Sequence, residues 1–129
     1  LGLKLYDASL YTPSGAAFSW QNPMAIELTY ARKLPRAKLV NATRDELKRL
    51  EGSRADHPAI LADLNRCLRD VTRGDRFTAV ARNAASVDLF FNGAKTCKLT
   101  QASIGKRFLN IWLSENSRSI AASRKLKGL

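Results

Sequence analysis

The side chains that most often carry out catalysis or bind metals are few in this sequence. His57 is the only histidine, and it directly precedes Pro58 at a predicted helix start, where an exposed polar residue is expected. A serine or cysteine nucleophile would need this histidine as its base, and no nucleophile motif lies near it. One histidine and two cysteines cannot form a four-ligand zinc site. The sequence therefore predicts no catalytic residue, no metal and no cofactor.

Cys67 and Cys97 are separated by 30 positions, and their surroundings allow two interpretations. Cys67 lies on the apolar stripe of a predicted helix and Cys97 on a predicted strand, so both could be small buried thiols. Alternatively they form a disulfide that ties the helix to a hairpin, which requires an oxidising compartment. The Cα separation decides between these interpretations. With the disulfide we expect a periplasmic or otherwise exported protein, and a start at Leu1 is compatible with a removed signal peptide.

The net charge of +11, from 22 Lys and Arg against 11 Asp and Glu, favours acidic partners. Arg66, Arg69 and Arg73 share one helical face, and residues 124–127 form a basic C-terminal cluster. No aromatic residues are interleaved with these cations, as they would be in a nucleic-acid site. We expect solvated helix faces and no specific nucleic acid, with an anionic membrane surface as the open alternative.

Hydrophobic periodicity predicts both strands and helices. Residues 24–32 alternate, so that Met24, Ile26, Leu28 and Tyr30 fall on one face of a strand. The other predictions are strands at 3–13, 76–82, 86–92 and 94–100, and helices at 36–52, 56–74, 101–113 and 118–127. Clustered strands joined by hairpins predict an α+β domain, with a mostly antiparallel sheet and helices on one face.

Several segments, taken together, resemble bacterial chalcone isomerase-like proteins. They are "LKLYDASLYTP", "AIELTYARKL", "VTRGDRFTAV", "LFFNGAKTCKLT" and "FLNIWLSENS", and they span nearly the whole chain. The resemblance implies one domain over residues 1–129, with part of the family domain upstream of Leu1. It also implies an open-faced β-sandwich with a ligand pocket between sheet and helices. Relatives in plants include chalcone isomerases and fatty-acid-binding proteins.

The catalytic pattern of the plant enzymes is not met at the positions that can be compared. The resemblance places Leu1 where those enzymes have a threonine and Ile111 where they have a late hydroxyl residue. The helix "LVNATRDELKRL" lacks their Tyr-x-x-Lys-x-x-x-Asn spacing. Apolar side chains cannot hydrogen-bond to a developing phenolate, which argues against catalysis. An isomerase or lyase acting on small phenolic compounds is therefore kept only as the alternative function.

The leading hypothesis is a non-catalytic protein that binds a fatty acid or a similar amphiphilic carboxylate. The predicted ligand-binding residues are Leu3, Leu5, Arg32, Leu47, Phe108, Ile111 and Trp112. Arg32 would meet the head group and the others would line the pocket. The competing interpretation is that these apolar residues are ordinary core. Trp112 is expected to be largely buried, with its indole N–H hydrogen-bonded.

The first strand carries polar residues among apolar ones. Leu3 and Leu5 are expected to face the helices, with Asp7 and Ser9 on the same side farther along. A buried carboxylate needs partners, so Asp7 should meet backbone amides or the turn at Ser14 near the sheet's end. Contact between Asp7 and the ligand is the minor interpretation. A third hypothesis for the whole protein is a basic surface that binds anionic lipid or nucleic acid.

Overall fold

The computed structural model describes residues 4–129, and in this range five strands and four helices follow the predicted order. The strands are β1 Tyr6–Tyr11, β2 Met24–Tyr30, β3 Arg76–Asn83, β4 Ser86–Phe91 and β5 Ala94–Leu99. The helices are α1 Arg36–Glu51, α2 His57–Cys67, α3 Ile104–Leu113 and α4 Ile120–Leu126, and a 3₁₀ turn spans Pro13–Gly15.

The five strands form one open antiparallel sheet in the order β1-β2-β3-β4-β5. Each strand pairs with the next in sequence, and Asn92 and Gly93 turn β4 into β5 with φ values of 48° and 85°. Asn and Gly tolerate such positive φ, which explains the tight turn. Alternate residues of β2 are buried under the helices, as predicted. The α+β prediction, with an open sheet beneath a helical layer, is confirmed.

Helix α2 is shorter than its apolar stripe suggests. It ends at Cys67, and Leu68 already has an extended backbone with φ −85° and ψ 162°. Val71 falls within the helix predicted at 56–74. In the structure it instead exchanges two backbone hydrogen bonds with Leu34, at 3.0 and 2.9 Å. This bridge holds Val71 in an extended segment. Val71 is therefore buried in the core although it is not part of a helix.

The first strand presents the opposite face from the predicted one. Tyr6, Ala8 and Leu10 pair with the inward-facing residues of β2, so they face the helices. Asp7 and Ser9 therefore point to the uncovered side of the sheet, where both are exposed. Asp7 pairs with Lys4 at 2.9 Å, and pairs this exposed contribute little to stability. Contact between Asp7 and a ligand under the helices is not compatible with this placement.

One end of the helical layer is held by a buried ionic network. The Arg107 side chain is 8% exposed, and its guanidinium donates to Glu51 at 2.7 and 2.9 Å and to Asp56 at 2.7 and 2.9 Å. These hydrogen bonds lower the pKa of Asp56 and Glu51 against the opposing effect of burial. His57, expected to be exposed, shares Glu51 at 2.8 Å and is mostly buried.

Two further contacts fasten the same region. Cys67 and Cys97 are joined in a disulfide with Cα atoms 5.5 Å apart, which links the end of α2 to β5. At the start of α3, the Gly105 N–H donates to the Ala84 carbonyl at 3.0 Å. A methyl group on Gly105 would overlap the Asn83 carbonyl oxygen, so this close approach of α3 to the β3–β4 turn requires glycine.

Candidate functional site

A cavity of about 360 Å³ lies between the sheet and helices α1 and α3. This volume falls within the range of small-molecule sites, about 300–1,000 Å³. The sheet side is formed mainly by Tyr6, Ile26, Leu28, Tyr30, Phe77, Ala79 and Leu89. The helical side is formed by Lys38, Leu39, Ala42, Thr43, Glu46, Phe108, Ile111 and Trp112, with Leu5, Leu34 and Leu68 at other borders.

Small residues help to keep this space unfilled. Ala79 lies on β3 directly between Ile26 of β2 and Leu89 of β4, at the centre of the cavity's sheet side. Ala42 faces the cavity from α1. Protein interiors are normally packed to crystal-like density, so an apolar space of this size between two layers suits an apolar guest.

The ionisable residues of the cavity lie at different positions along α1. Lys38 is exposed at the rim and forms no ion pair with any residue from 4 to 129. Glu46 follows eight residues later, which is about 12 Å farther along a helix axis. Glu46 is bound by Arg49 at 2.9 Å and Arg118 at 2.7 Å, and the Arg49 hydrogen bond is the main reason that its pKa is lowered. The Glu46 charge is thus compensated, whereas Lys38 can pair with an anionic ligand.

Two tyrosines supply the polar groups of the sheet side. Tyr6 and Tyr30 are paired across β1 and β2, with ring centroids 5.8 Å apart and planes at 72°. The Tyr6 hydroxyl accepts a hydrogen bond from the Trp112 indole N–H at 3.0 Å. Burial is the largest cause of the raised pKa of both phenols, so both are neutral hydrogen-bond donors at pH 7.

Four of the predicted ligand-binding residues border the cavity: Leu5, Phe108, Ile111 and Trp112. Leu5 lies at the rim and is 44% exposed, just before β1 begins. Trp112 is partly exposed at the cavity and packs against the core, and its indole N–H is hydrogen-bonded as predicted. Leu3 lies outside the described residues.

The other two predicted ligand-binding residues do not border the cavity. Leu47 is 1% exposed within the core, because it is rotated by about 100° from Glu46 around α1. Arg32 is exposed beyond the end of β2, where the alternation that directs Tyr30 inward has stopped. The cation at the rim is Lys38 instead, and Tyr6 and Tyr30 were not among the predicted ligand-binding residues either. Tyr30 was recognisable in principle, since it alternates with the core residues of β2.

No group of three His, Cys, Asp or Glu side chains within residues 4–129 could hold a metal ion. In the same part of the chain, no helix is long and apolar enough to cross a membrane.

Comparison with known proteins gives one family and one informative structure. The family model described as chalcone isomerase-like matches residues 1–127. No curated protein sequence matches the chain. Among solved structures, the chain is similar to a fatty-acid binding protein of Arabidopsis thaliana, with a TM-score of 0.63 and 14% identity. The match covers 81% of this chain and 55% of that one, so the likeness concerns the fold and about half of the plant protein.

Proposed function

Because the chain belongs to the chalcone isomerase-like family, we propose that it binds a fatty acid or similar amphiphilic carboxylate without converting it. The observation that carries this proposal is an apolar cavity with an unpaired cation, Lys38, at its rim. The hydrocarbon chain would occupy the cavity, where burial of apolar surface supplies most of the affinity. The carboxylate would stay at the rim beside the Lys38 ammonium.

The position of Lys38 suits an anion for a second reason. Lys38 lies in the first turn of α1, which begins at Arg36, and the positive end of a helix dipole also attracts negative charge. At the far side of the cavity, Arg49 and Arg118 already compensate the carboxylate of Glu46, so Lys38 is the one unpaired charge among the described lining residues. This charge orients the ligand with its head group at Lys38 and its chain toward α3.

Turnover of a phenolic substrate is the alternative, and the cavity offers little support for it. Ile111 borders the cavity where the plant enzymes carry a hydroxyl residue, and Lys38 is the one cation among its described lining residues. Incubation with a chalcone, followed by absorbance, tests this part of the proposal. We expect no ring closure above the spontaneous rate, and clear acceleration would overturn the assignment as a binding protein.

Titration with a fluorescent fatty acid tests binding directly. We expect saturable binding that persists at high salt, because burial of the apolar chain supplies most of the affinity and ions screen only the contact with Lys38. Lys38→Gln should weaken binding roughly 2- to 5-fold, the range for one exposed ion pair. Lys48→Gln is the matched control, since Lys48 is exposed on the same helix away from the cavity. Equal loss in both variants, or loss of all binding with salt, would point to the charged surface instead.

An anionic membrane surface is a second proposed partner, because the rim is basic and partly apolar. The Ala31 N–H donates to the Leu5 carbonyl at 2.8 Å, so Lys4 and Arg32 flank the exposed Leu5 on adjacent segments. Docking there would bring the rim to the lipid. Sedimentation with phosphatidylcholine vesicles, with and without phosphatidylserine, tests this. We expect binding only to the anionic vesicles, and equal binding to both would contradict it.

We further propose that the protein is exported, for example to the periplasm, since disulfides persist mainly in oxidising compartments. The Cys67–Cys97 bond supports this proposal. Fractionation of the producing cells tests it, and recovery of the protein from the cytosol with both thiols reduced would contradict it.

A further inference from the structure

The Tyr30 hydroxyl is an unusual feature of the cavity wall. Tyr30 is 6% exposed and borders the cavity, yet no residue from 4 to 129 forms a hydrogen bond with its hydroxyl. The hydroxyl oxygen is not enclosed by protein atoms, so a molecule in the cavity can be its partner. A donor held in this position is available to a guest in the cavity.

The Tyr6 hydroxyl provides a second donor beside it. Its oxygen already accepts from Trp112 Nε1 at 3.0 Å, and no acceptor within the described chain takes its proton. The hydrogen bond from the indole holds the phenol oxygen in place. The hydroxyl can therefore donate its proton in few directions. Tyr6 and Tyr30 are directly opposite on β1 and β2 with ring centroids 5.8 Å apart, and we call these two residues the tyrosine pair.

The surroundings of the tyrosine pair disfavour a charged group. Glu46 is near enough to Tyr6 to contribute to its raised pKa, and no cation lines this side of the cavity among residues 4–129. A carboxylate beside the tyrosine pair would therefore find no free cation there, because Arg49 and Arg118 are already bound to Glu46, whereas a ketone or hydroxyl oxygen needs only the donors. Lys38 lies about two helical turns from Glu46, so the anionic and neutral positions are separate.

We propose that the ligand is an oxygenated amphiphile, a carboxylate-bearing chain with an uncharged keto or hydroxyl group whose oxygen accepts from Tyr30 and Tyr6. This rests on the proposed function, because it places the carboxylate at Lys38 and the chain in the cavity. The inference adds a specificity element: the tyrosine pair distinguishes an oxygenated chain from a plain hydrocarbon chain. A plain chain would leave both donors unpaired in an apolar space. An unpaired buried donor costs more free energy than a typical hydrogen bond contributes.

Competition against a bound fluorescent fatty acid tests this with two probes, palmitic acid and its mid-chain keto derivative. We expect the keto acid to bind about 2- to 10-fold more tightly, the effect of one net hydrogen bond. Tyr30→Phe keeps the ring and should remove this preference, so that the two acids bind with about the same affinity. Tyr11→Phe is the control, because Tyr11 is 54% exposed on the uncovered face of the sheet.

The outcomes separate the two proposals. If palmitate binds and the keto acid binds no more tightly, or if Tyr30→Phe retains the preference, the inference about the tyrosine pair is wrong and the proposed function stands. If neither acid displaces the probe, the proposed function fails, and the inference fails with it. Should Tyr30→Phe not fold, Tyr6→Phe gives the same test, with the expectation that the preference falls.

Discussion

Helix α1 belongs to two regions that differ in how their polar groups are used. At its C-terminal end, Glu51 is bound within the Arg107 network, where the guanidinium meets two carboxylates and the Ala102 carbonyl at 2.8 Å. At the cavity, the Lys38 ammonium forms no ion pair and the Tyr30 hydroxyl no hydrogen bond with any residue from 4 to 129. The difference is that polar groups are paired with one another at one end of the helical layer, whereas two of them remain without a partner in the described chain at the cavity.

The largest effect is expected from breaking the Arg107 network. Arg107→Ala leaves the carboxylates of Glu51 and Asp56 without their main partner, and removing one member of a buried pair costs about 3–5 kcal/mol. Urea unfolding measures the loss. Arg44→Ala is the control, because its pair with Asp45 is exposed and worth at most about 1 kcal/mol. Equal losses in the two variants would contradict the distinction between the two regions.

The pH dependence of stability in Arg107→Ala provides a second test of the network. The folded-state pKa values of Glu51 and Asp56 are lowered, so the unfolded chain binds more protons in acid. Their contribution is present above the unfolded values, about 4, and is lost as the pH falls through the folded values. Stability should therefore decline less steeply with acid in Arg107→Ala than in the native protein, and an unchanged slope would contradict this.

Opening the Cys67–Cys97 bond should have the next largest effect. In the chain-entropy model a loop of about 30 residues contributes roughly 3–4 kcal/mol. The variant Cys67→Ala/Cys97→Ala should melt at a lower temperature than the native protein and should not respond to reductant. Alkylation of the native protein without reductant that already adds two alkyl groups to its mass would show that the bond is absent.

Adding volume should have opposite consequences in the two regions. Ala79→Leu extends into the cavity, so we expect a stability change within about 1.5 kcal/mol together with loss of fatty-acid binding. Gly105→Ala adds one methyl group against the Asn83 carbonyl and should cost about 1–3 kcal/mol without removing the cavity. Thermal melting and the fluorescent titration measure both quantities, and a severe loss of stability in Ala79→Leu would mean that the cavity is not free.

The smallest effect is expected at the border between cavity and core. Trp112→Phe keeps an aromatic ring beside Phe108 but removes the indole donor to Tyr6, a bond worth about 0.5–1.5 kcal/mol. The half-buried position of Trp112 keeps the packing loss small. A loss comparable to that of Arg107→Ala would mean that Trp112 is part of the core rather than of the cavity wall.

Local patterns predicted the elements well, because alternation and turn chemistry act over a few residues. The alternation of β2 and the Asn92-Gly93 turn each correspond to the observed structure. Partners distant in sequence decided the rest. The inward face of β1 follows from its register with β2, and the end of α2 follows from the bridge between Val71 and Leu34. Whether Leu47 or Glu46 meets the cavity depends on the rotational phase of α1, which apolar periodicity alone does not fix.

The bond between Trp112 and Tyr6 joins residues 106 positions apart in the chain. Strands β3, β4 and β5 are joined by short turns and can pair early, whereas the cavity exists only once β1 and α3 have met. A ligand can therefore act only on a state that is already nearly native. We expect saturating fatty acid to slow unfolding and to leave the refolding rate unchanged, since interactions absent from the transition state appear in the unfolding rate alone.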